Sequence, residues 1–158
     1  MLFRDSIPFV TNGTPQYVQL VTWGQDVYVH RMNKILSDTT WANDKPHLVY
    51  DYVWVKPNST VNILEGTNIH FHNDAQLYVE EAQIKALGQL SNKITFQGDR
   101  LEAFYDDIHG QWYGIRLTKP MEGCEFDYVV IKNGTVGLQV DTTNAGGGDY
   151  DVKIRNTE

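Results

Sequence analysis

The sequence is poor in the residues that build disulfide-linked or metal-centred proteins. Its single cysteine, Cys124, can form no internal disulfide, and no second cysteine or histidine stands beside it at the spacing of metal ligands. We therefore expect Cys124 to be a small buried residue.

Long apolar runs are also missing. No stretch approaches the roughly 20 consecutive apolar residues that span a bilayer, and residues 1–6 contain no apolar signal-peptide segment. If the parent protein is exported, we expect its signal to lie upstream of this chain.

The chain has no excess of positive charge. Its 158 residues include 13 Lys and Arg against 20 Asp and Glu, which gives a net charge of -7 without a basic stripe. Nucleic acid and a bare anionic membrane surface are therefore not expected partners. The apolar content of 41% suits one domain with a sizeable core.

Short β-rich runs bounded by Gly, Asn, Asp and Pro recur throughout, whereas helical periodicity is scarce. Their spacing is too short for helical crossovers. The pattern predicts a nearly all-β chain, with strands at 6–10, 17–23, 47–55, 60–64, 68–72, 76–79, 83–87, 93–97, 112–118, 127–132, 137–140 and 150–155.

Internal repeats indicate a solenoid, in which each strand pairs in parallel with its counterpart one coil along. The Ile-x-Phe pattern at 69–71 recurs at 94–96 and predicts Ile69 over Ile94. A second repeat relates 129–133 to 152–156. Both intervals are close to the length of one coil of a β-helix.

The second repeat predicts that Val129 stacks on Val152, with alternate apolar side chains inside. Asn133 and Asn156 end its two copies, so their amides are expected to stack at one corner. The alternative is two ordinary turn asparagines.

The first residues do not follow the solenoid pattern. Asn12-Gly13 between two β-rich runs predicts a hairpin. We interpret 1–24 as the end of a β-sandwich-like domain, 25–46 as a linker and turn, and 47–158 as a parallel β-helix truncated at its C-terminal end. We expect the chain to be incomplete at both ends and to depend on neighbouring chain or a partner for stability.

These motifs, in this order, resemble a family of large exported lipoproteins of gut bacteria, in which a right-handed parallel β-helix follows an immunoglobulin-like domain. The resemblance extends from about residue 24 to residue 140. Its carriers are the segments 43–47, 61–67, 69–72, 94–100, 110–115 and 127–131. One departure is Glu80-Glu81-Ala82, which stands where the family has a Gly-containing turn.

The resemblance implies an outer-membrane, cell-surface location through an N-terminal lipid anchor that this chain lacks. It also implies partners: a TonB-dependent transporter and its substrate-binding lipoprotein, in a nutrient-uptake complex, with a glycan or peptide as a further possible ligand. It implies no established reaction.

One segment between two coils concentrates charged residues that could serve acid–base chemistry or calcium binding. A solvated acidic loop explains them equally well, and a single loop supplies no second carboxylate from a neighbouring coil. The residues are Asp99, Arg100, Glu102, Asp106, Asp107 and His109.

His70 and His72 alternate with Ile69 and Phe71, so both imidazoles should point outward. Two such ligands can begin a zinc site, but no third is identifiable. The segment Asp141 to Asp149 is interpreted as a flexible loop rather than a calcium site. Aromatic residues that would form a sugar-stacking strip if several face outward are Trp41, Tyr52, Trp54, Tyr78 and Trp112.

The sequence therefore assigns no catalytic, metal or cofactor-binding residue. We interpret the chain as a non-catalytic segment of a surface lipoprotein that acts as a scaffold or binding surface. The alternative is a glycan-cleaving or glycan-binding β-helix, such as a polysaccharide lyase or hydrolase, whose active coils lie outside this chain.

Overall fold

The computed structural model describes residues 2–24, 26–31, 34–141 and 152–158, and this part of the chain is all-β apart from one 3-10 turn at Ala103–Tyr105. It begins with a hairpin of two ten-residue antiparallel strands, β1 (Leu2–Thr11) and β2 (Thr14–Trp23). Asn12 and Gly13 form its two-residue turn with φ of 51° and 78°, which confirms the predicted hairpin.

The remaining strands form three parallel sheets of five strands each. Coils 1 to 3 contain β3 (Tyr28–His30), β4 (Lys34–Leu36), β5 (Thr39–Trp41), β6 (His47–Val49), β7 (Tyr52–Val55), β8 (Thr60–Ile63), β9 (Asn68–Phe71), β10 (Gln76–Glu80) and β11 (Gln83–Leu87). Coils 4 and 5 contain β12 (Ile94–Gly98), β13 (Gly114–Thr118), β14 (Cys124–Asp127), β15 (Val129–Ile131), β16 (Leu138–Asp141) and β17 (Val152–Arg155).

Every third strand belongs to the same sheet. Sheet 1 has the order β15-β12-β9-β6-β3, sheet 2 the order β16-β13-β10-β7-β4, and sheet 3 the order β17-β14-β11-β8-β5. The chain therefore visits the three sheets in the same sequence in each coil, which is consistent with a solenoid. The predicted parallel ladders between coils are confirmed.

Residues along the strands alternate between buried and partly exposed positions, so each sheet has one buried face and one outer face. The buried faces of the three sheets together form the core. On sheet 2, for example, Val55, Val79 and Leu117 stand side by side in successive strands and are fully buried. Cys124 is also fully buried, as predicted, and its sulfur accepts a hydrogen bond from the Ile84 N–H at 3.4 Å.

Residues in the left-handed backbone conformation form the corners between sheets. The corner between sheets 1 and 2 uses Asp51, Asn73 and Asn133, and the corner between sheets 2 and 3 uses Asn58, Glu81 and Lys119, all with positive φ. Asn and Asp adopt this conformation more readily than other non-glycine residues. Glu81, with φ of 45°, forms one of these corners without glycine.

The two residue pairings predicted from the repeats, Ile69 with Ile94 and Val129 with Val152, are both wrong. The first repeat nevertheless predicts the correct pair of strands, β9 and β12. Ile69 lies beside Phe96 rather than Ile94, so β9 and β12 are shifted from the register that the repeat predicts. The turn before β12 contains an additional bridge between Gln89 and Asn92, and this accompanies the shift.

The second repeat joins two different sheets. Val129 pairs with Ile94 in sheet 1, whereas Val152 pairs with Cys124 in sheet 3. Asn133 and Asn156 consequently occupy different corners, and their amides do not stack: the Asn156 amide donates to Asp127 Oδ1 at 2.8 Å. A strand with two alternate apolar residues fits any of the three sheets, so the motif alone does not specify one.

The parallel stack begins earlier than the sequence indicates. Strands β3, β4 and β5 lie within 25–46, the segment that the sequence suggests is a linker, and pair with β6, β7 and β8. The predicted strand 47–55 is two strands separated by the corner residue Asp51, and 127–132 contains a corner at Tyr128. These corners contain neither Gly nor Pro, the usual signals of a turn.

Aromatic rings fill the core at the first two coils. His30 Nε2 and His47 Nδ1 lie 3.0 Å apart, and His47 Nε2 donates to the Ala42 carbonyl at 3.0 Å. The Trp41 ring stacks on both imidazoles at centroid distances of 4.9 and 4.8 Å. Trp41 and His47 are buried, and burial lowers the pKa of His47, while its hydrogen bond to Ala42 opposes this effect.

Candidate binding surfaces

Three aromatic side chains lie together on the outer face of sheet 2. Tyr52 and Trp54 are alternate residues of β7, and Tyr78 of β10 is the lateral neighbour of Trp54. All three are partly exposed, and their alternate neighbours Val53 and Val55 are buried. We call Tyr52, Trp54 and Tyr78 the aromatic strip.

Arg116 extends the aromatic strip into coil 4, where it lies beside Tyr78 with its guanidinium carbon 5.7 Å from the ring centroid. Its Nε donates to Asp141 Oδ2 at 2.5 Å, and Gln139 Nε2 donates to Asp141 Oδ1 at 2.7 Å. These bonds from Gln139 and Arg116 lower the pKa of the Asp141 carboxyl. Because Arg116 is paired, the strip presents neutral rings beside a closed ion pair.

The insertion between β12 and β13 forms a cleft of about 370 Å³ at the corner between sheets 1 and 2. Gln111 holds the insertion, since its Nε2 donates to the carbonyls of Tyr105 and Ile108 at 2.7 and 2.8 Å. A Cβ at Gly98 would lie 2.4 Å from Gln111 Oε1, so a larger residue there would displace the Gln111 side chain. The residues that line the cleft are His72, Asn73, Asp99, Arg100, Tyr105, Ile108, His109, Gly110 and Gln111.

A row of side chains leads along this corner to the cleft. The Arg31 guanidinium lies 4.3 Å from the Tyr50 ring centroid, and the Tyr50 and His72 rings are 4.8 Å apart. His72 Nδ1 lies 2.7 Å from Asp99 Oδ2. The row therefore crosses four coils and ends at the cleft.

The six charged residues that the sequence groups in one segment do not form one site in the structure. Asp99, Arg100 and His109 line the cleft, whereas Glu102, Asp106 and Asp107 are not among its lining residues. Asp106 instead pairs with Lys132 at 2.7 Å.

The two predicted outward histidines do face outward, because Ile69 and Phe71 are fully buried. They do not form one site. His70 Nδ1 lies near the Gly98 carbonyl and the Gln97 amide at 3.4 and 3.3 Å, and burial lowers the pKa of His70. Within the ranges given for the fold, no three His, Cys, Asp or Glu side chains gather in a way that could hold a metal ion.

Of the five aromatic residues considered for a sugar-stacking strip, Trp41 and Trp112 are buried instead. Trp112 stacks on Phe71 at 4.1 Å and its Nε1 donates to the Lys132 carbonyl at 2.8 Å. Of the predicted loop from Asp141 to Asp149, residues 142–149 lie outside the described residues. In the part that is described, no helix has the length and apolar character to cross a membrane.

Sequence reasoning missed Arg31, Tyr50, Tyr105 and the pairing of Arg116 with Asp141. One signal for the corner row was present: Tyr50-Asp51 and His72-Asn73 both place a ring before an Asp or Asn, one coil apart. The left-handed φ of Asp51 and Asn73 gives both rings the same position in successive coils.

No protein-family model, curated protein or solved structure matches this chain.

Proposed function

We propose that this chain is a non-catalytic scaffold segment that binds a nutrient glycan on the outer face of sheet 2, within a right-handed parallel β-helix. The observation that carries the proposal is the aromatic strip, three partly exposed rings on one face of one sheet, of which Trp54 and Tyr78 are in register in neighbouring strands. Sugar rings present C–H faces that pack on aromatic rings, and a chain of sugars suits a surface that repeats along a stack.

The surroundings of the strip favour an uncharged polymer. Arg116 and Asp141 neutralise each other, and Gln76 and Gln139 add amide groups on the same face. Amides and tyrosine hydroxyls both donate and accept hydrogen bonds, as sugar hydroxyls require.

Binding can be tested by affinity electrophoresis of the chain in gels that contain a neutral polymer, namely arabinoxylan, glucomannan or xyloglucan. We expect retardation by at least one polymer, and we expect Trp54→Ala and Tyr78→Ala to weaken it about tenfold, a loss of roughly 1.4 kcal/mol. Tyr17→Ala, which removes an exposed ring from the hairpin, is the matched control and should bind normally. Equal behaviour of all variants, or no retardation by any polymer, would refute the proposal.

Cleavage is the alternative function, and the His72–Asp99 pair beside a cleft is the feature that favours it. Hydrolysis by the usual route needs two carboxylates. Asp99 is the single carboxylate among the described lining residues, so the cleft supports binding better than hydrolysis.

We also propose, from the family resemblance, that the parent protein is lipid-anchored at the outer-membrane surface and that the hairpin ends a sandwich-like domain. In this proposal it assists a TonB-dependent transporter and its substrate-binding lipoprotein. A pull-down of the full-length protein from native membranes tests this, and recovery without either protein would contradict it.

A further inference from the structure

We infer that the cleft at the corner between sheets 1 and 2 is a subsite for an acidic sugar, whose carboxylate Arg100 binds. This inference rests on the proposed function, because it names a glycan component that the neutral aromatic strip does not select. Its basis is the arrangement of Arg100, Asp99 and His72 around the cleft.

Arg100 carries a charge that no carboxylate of the described residues neutralises, whereas six other Lys and Arg residues have such a partner. Arg116, Lys132, Arg155 and Lys45 each form an ion pair with an Asp or Glu. The Arg100 guanidinium instead lies 4.6 Å from the Tyr105 ring centroid, and in the described part of the chain it has no ion-pair partner. The N–H donors of a guanidinium lie in its own plane, so packing of one face on a ring leaves them available to a carboxylate in a two-point contact.

The platform under Arg100 is itself fixed. The Tyr105 carbonyl accepts hydrogen bonds from Gln111 Nε2 at 2.7 Å and from Asn133 Nδ2 at 3.3 Å. The Asn133 amide also donates to the carbonyls of Asp106 and Ile108. Because these bonds fix the loop before a ligand arrives, less conformational entropy is lost on binding.

Asp99 Oδ2 lies 2.7 Å from His72 Nδ1, so this oxygen is engaged in a hydrogen bond while the carboxylate keeps its charge, and a bound acid depends on its two-point contact with Arg100. When His72 Nδ1 carries the proton and donates it to Asp99, a neutral His72 has Nε2 as an acceptor. A sugar hydroxyl can donate to that nitrogen. Asn73 and His109, also in the lining, supply further polar groups for hydroxyls.

Glucuronate and glucose are suitable probes, because they differ only in a carboxylate replacing a hydroxymethyl group. We would titrate each into the chain at pH 7 and follow the imidazole resonances of His72 and His109 by NMR. We expect saturable shifts with glucuronate and at least tenfold weaker binding of glucose and of acetate.

Arg100→Gln should remove the preference for glucuronate over glucose, and Arg100→Lys should retain part of it, since lysine keeps the charge but not the two-point geometry. Arg31→Gln is the matched control, because Arg31 also packs on a tyrosine but does not line the cleft. Tyr17→Ala, on the hairpin and outside both proposed binding surfaces, should leave glucuronate binding unchanged.

Equal binding of glucuronate and glucose, equal binding of acetate, or an Arg100→Gln variant that behaves as the original would overturn the inference. Retardation by neutral polymers in the same preparation would show that the proposed function survives that failure. Glucuronate binding without retardation by any polymer would instead reject the aromatic strip and support the cleft.

Discussion

Two tryptophans show how the position of a residue decides its contribution. Trp112 is fully buried on Phe71 and bonded to the Lys132 carbonyl, whereas Trp54 lies on the outer face of sheet 2. Removing a buried indole leaves a cavity and an unpaired carbonyl, and removing an outer one leaves neither.

We therefore expect Trp112→Ala to lower the free energy of unfolding by about 3–5 kcal/mol. Trp54→Ala should lower it by about 1 kcal/mol or less while weakening glycan binding. Urea denaturation followed by far-UV circular dichroism measures both. Similar losses for the two variants would show that the aromatic strip is part of the core.

His47 makes stability depend on pH. Burial lowers its pKa below the ordinary histidine value of about 6.5, so the unfolded chain takes up a proton at a higher pH than the folded chain does. Neutral His47 therefore contributes its full stabilisation above the ordinary histidine pKa. This contribution to the free energy of unfolding is lost as the pH falls from that value towards the pKa of His47 in the folded chain. His70, whose pKa burial also lowers, acts in the same direction.

The test compares urea midpoints at pH 7.5 and 5.5. We expect His47→Gln to be less stable than the original chain at pH 7.5 but to lose less on acidification. His109 is exposed, so His109→Gln should show the same drop in urea midpoint between pH 7.5 and 5.5 as the original chain. An unchanged pH response of His47→Gln would contradict the assignment.

At the scale of elements, one corner side chain of the stack makes several bonds to the inserted loop. The Asn133 amide donates to three loop carbonyls, those of Tyr105, Asp106 and Ile108. Asn133 has a φ of 63°, which glycine also adopts easily, so Asn133→Gly removes the amide without straining the corner.

We expect Asn133→Gly to speed amide exchange in residues 103–110 and to weaken glucuronate binding, with little change in the exchange of the core strands. Asp51→Gly, at another left-handed corner in the same sheet transition but outside the lining of the cleft, is the control for the backbone change. Faster exchange throughout the stack would mean that Asn133 stabilises the coils rather than the loop.

The elements that the sequence predicted best are those with two or more alternating apolar residues between recognisable turns. Strands such as β10 and β11 satisfy this condition, and so does the hairpin turn at Asn12-Gly13. Coil 1 does not, because its strands have three residues each and its segment is mostly polar.

At the scale of the molecule, parallel pairing between coils followed from the repeats, but the register did not. Every sheet accepts the same inward apolar pattern, and coils differ in length because of insertions such as the one before β13. The outward positions of Tyr52, Trp54 and Tyr78 follow from alternation once their neighbours are inside. The contacts of Arg116 with Asp141 and of His72 with Asp99 depend on register, so local patterns alone could not predict them.

The shared direction of the three ladders has a mechanical consequence. Hydrogen bonds between successive coils run along the stack, so a pulling force applied along it should unzip one coil at a time, whereas a force along the strands loads many bonds together in shear. His47 and Ile69 are partners in successive coils, so the chain between them makes one full coil. Releasing such a coil adds roughly 7–8 nm of extended chain. Single-molecule stretching along the stack should therefore give a sawtooth of small steps of about this size, and stretching across it should give fewer ruptures at higher force.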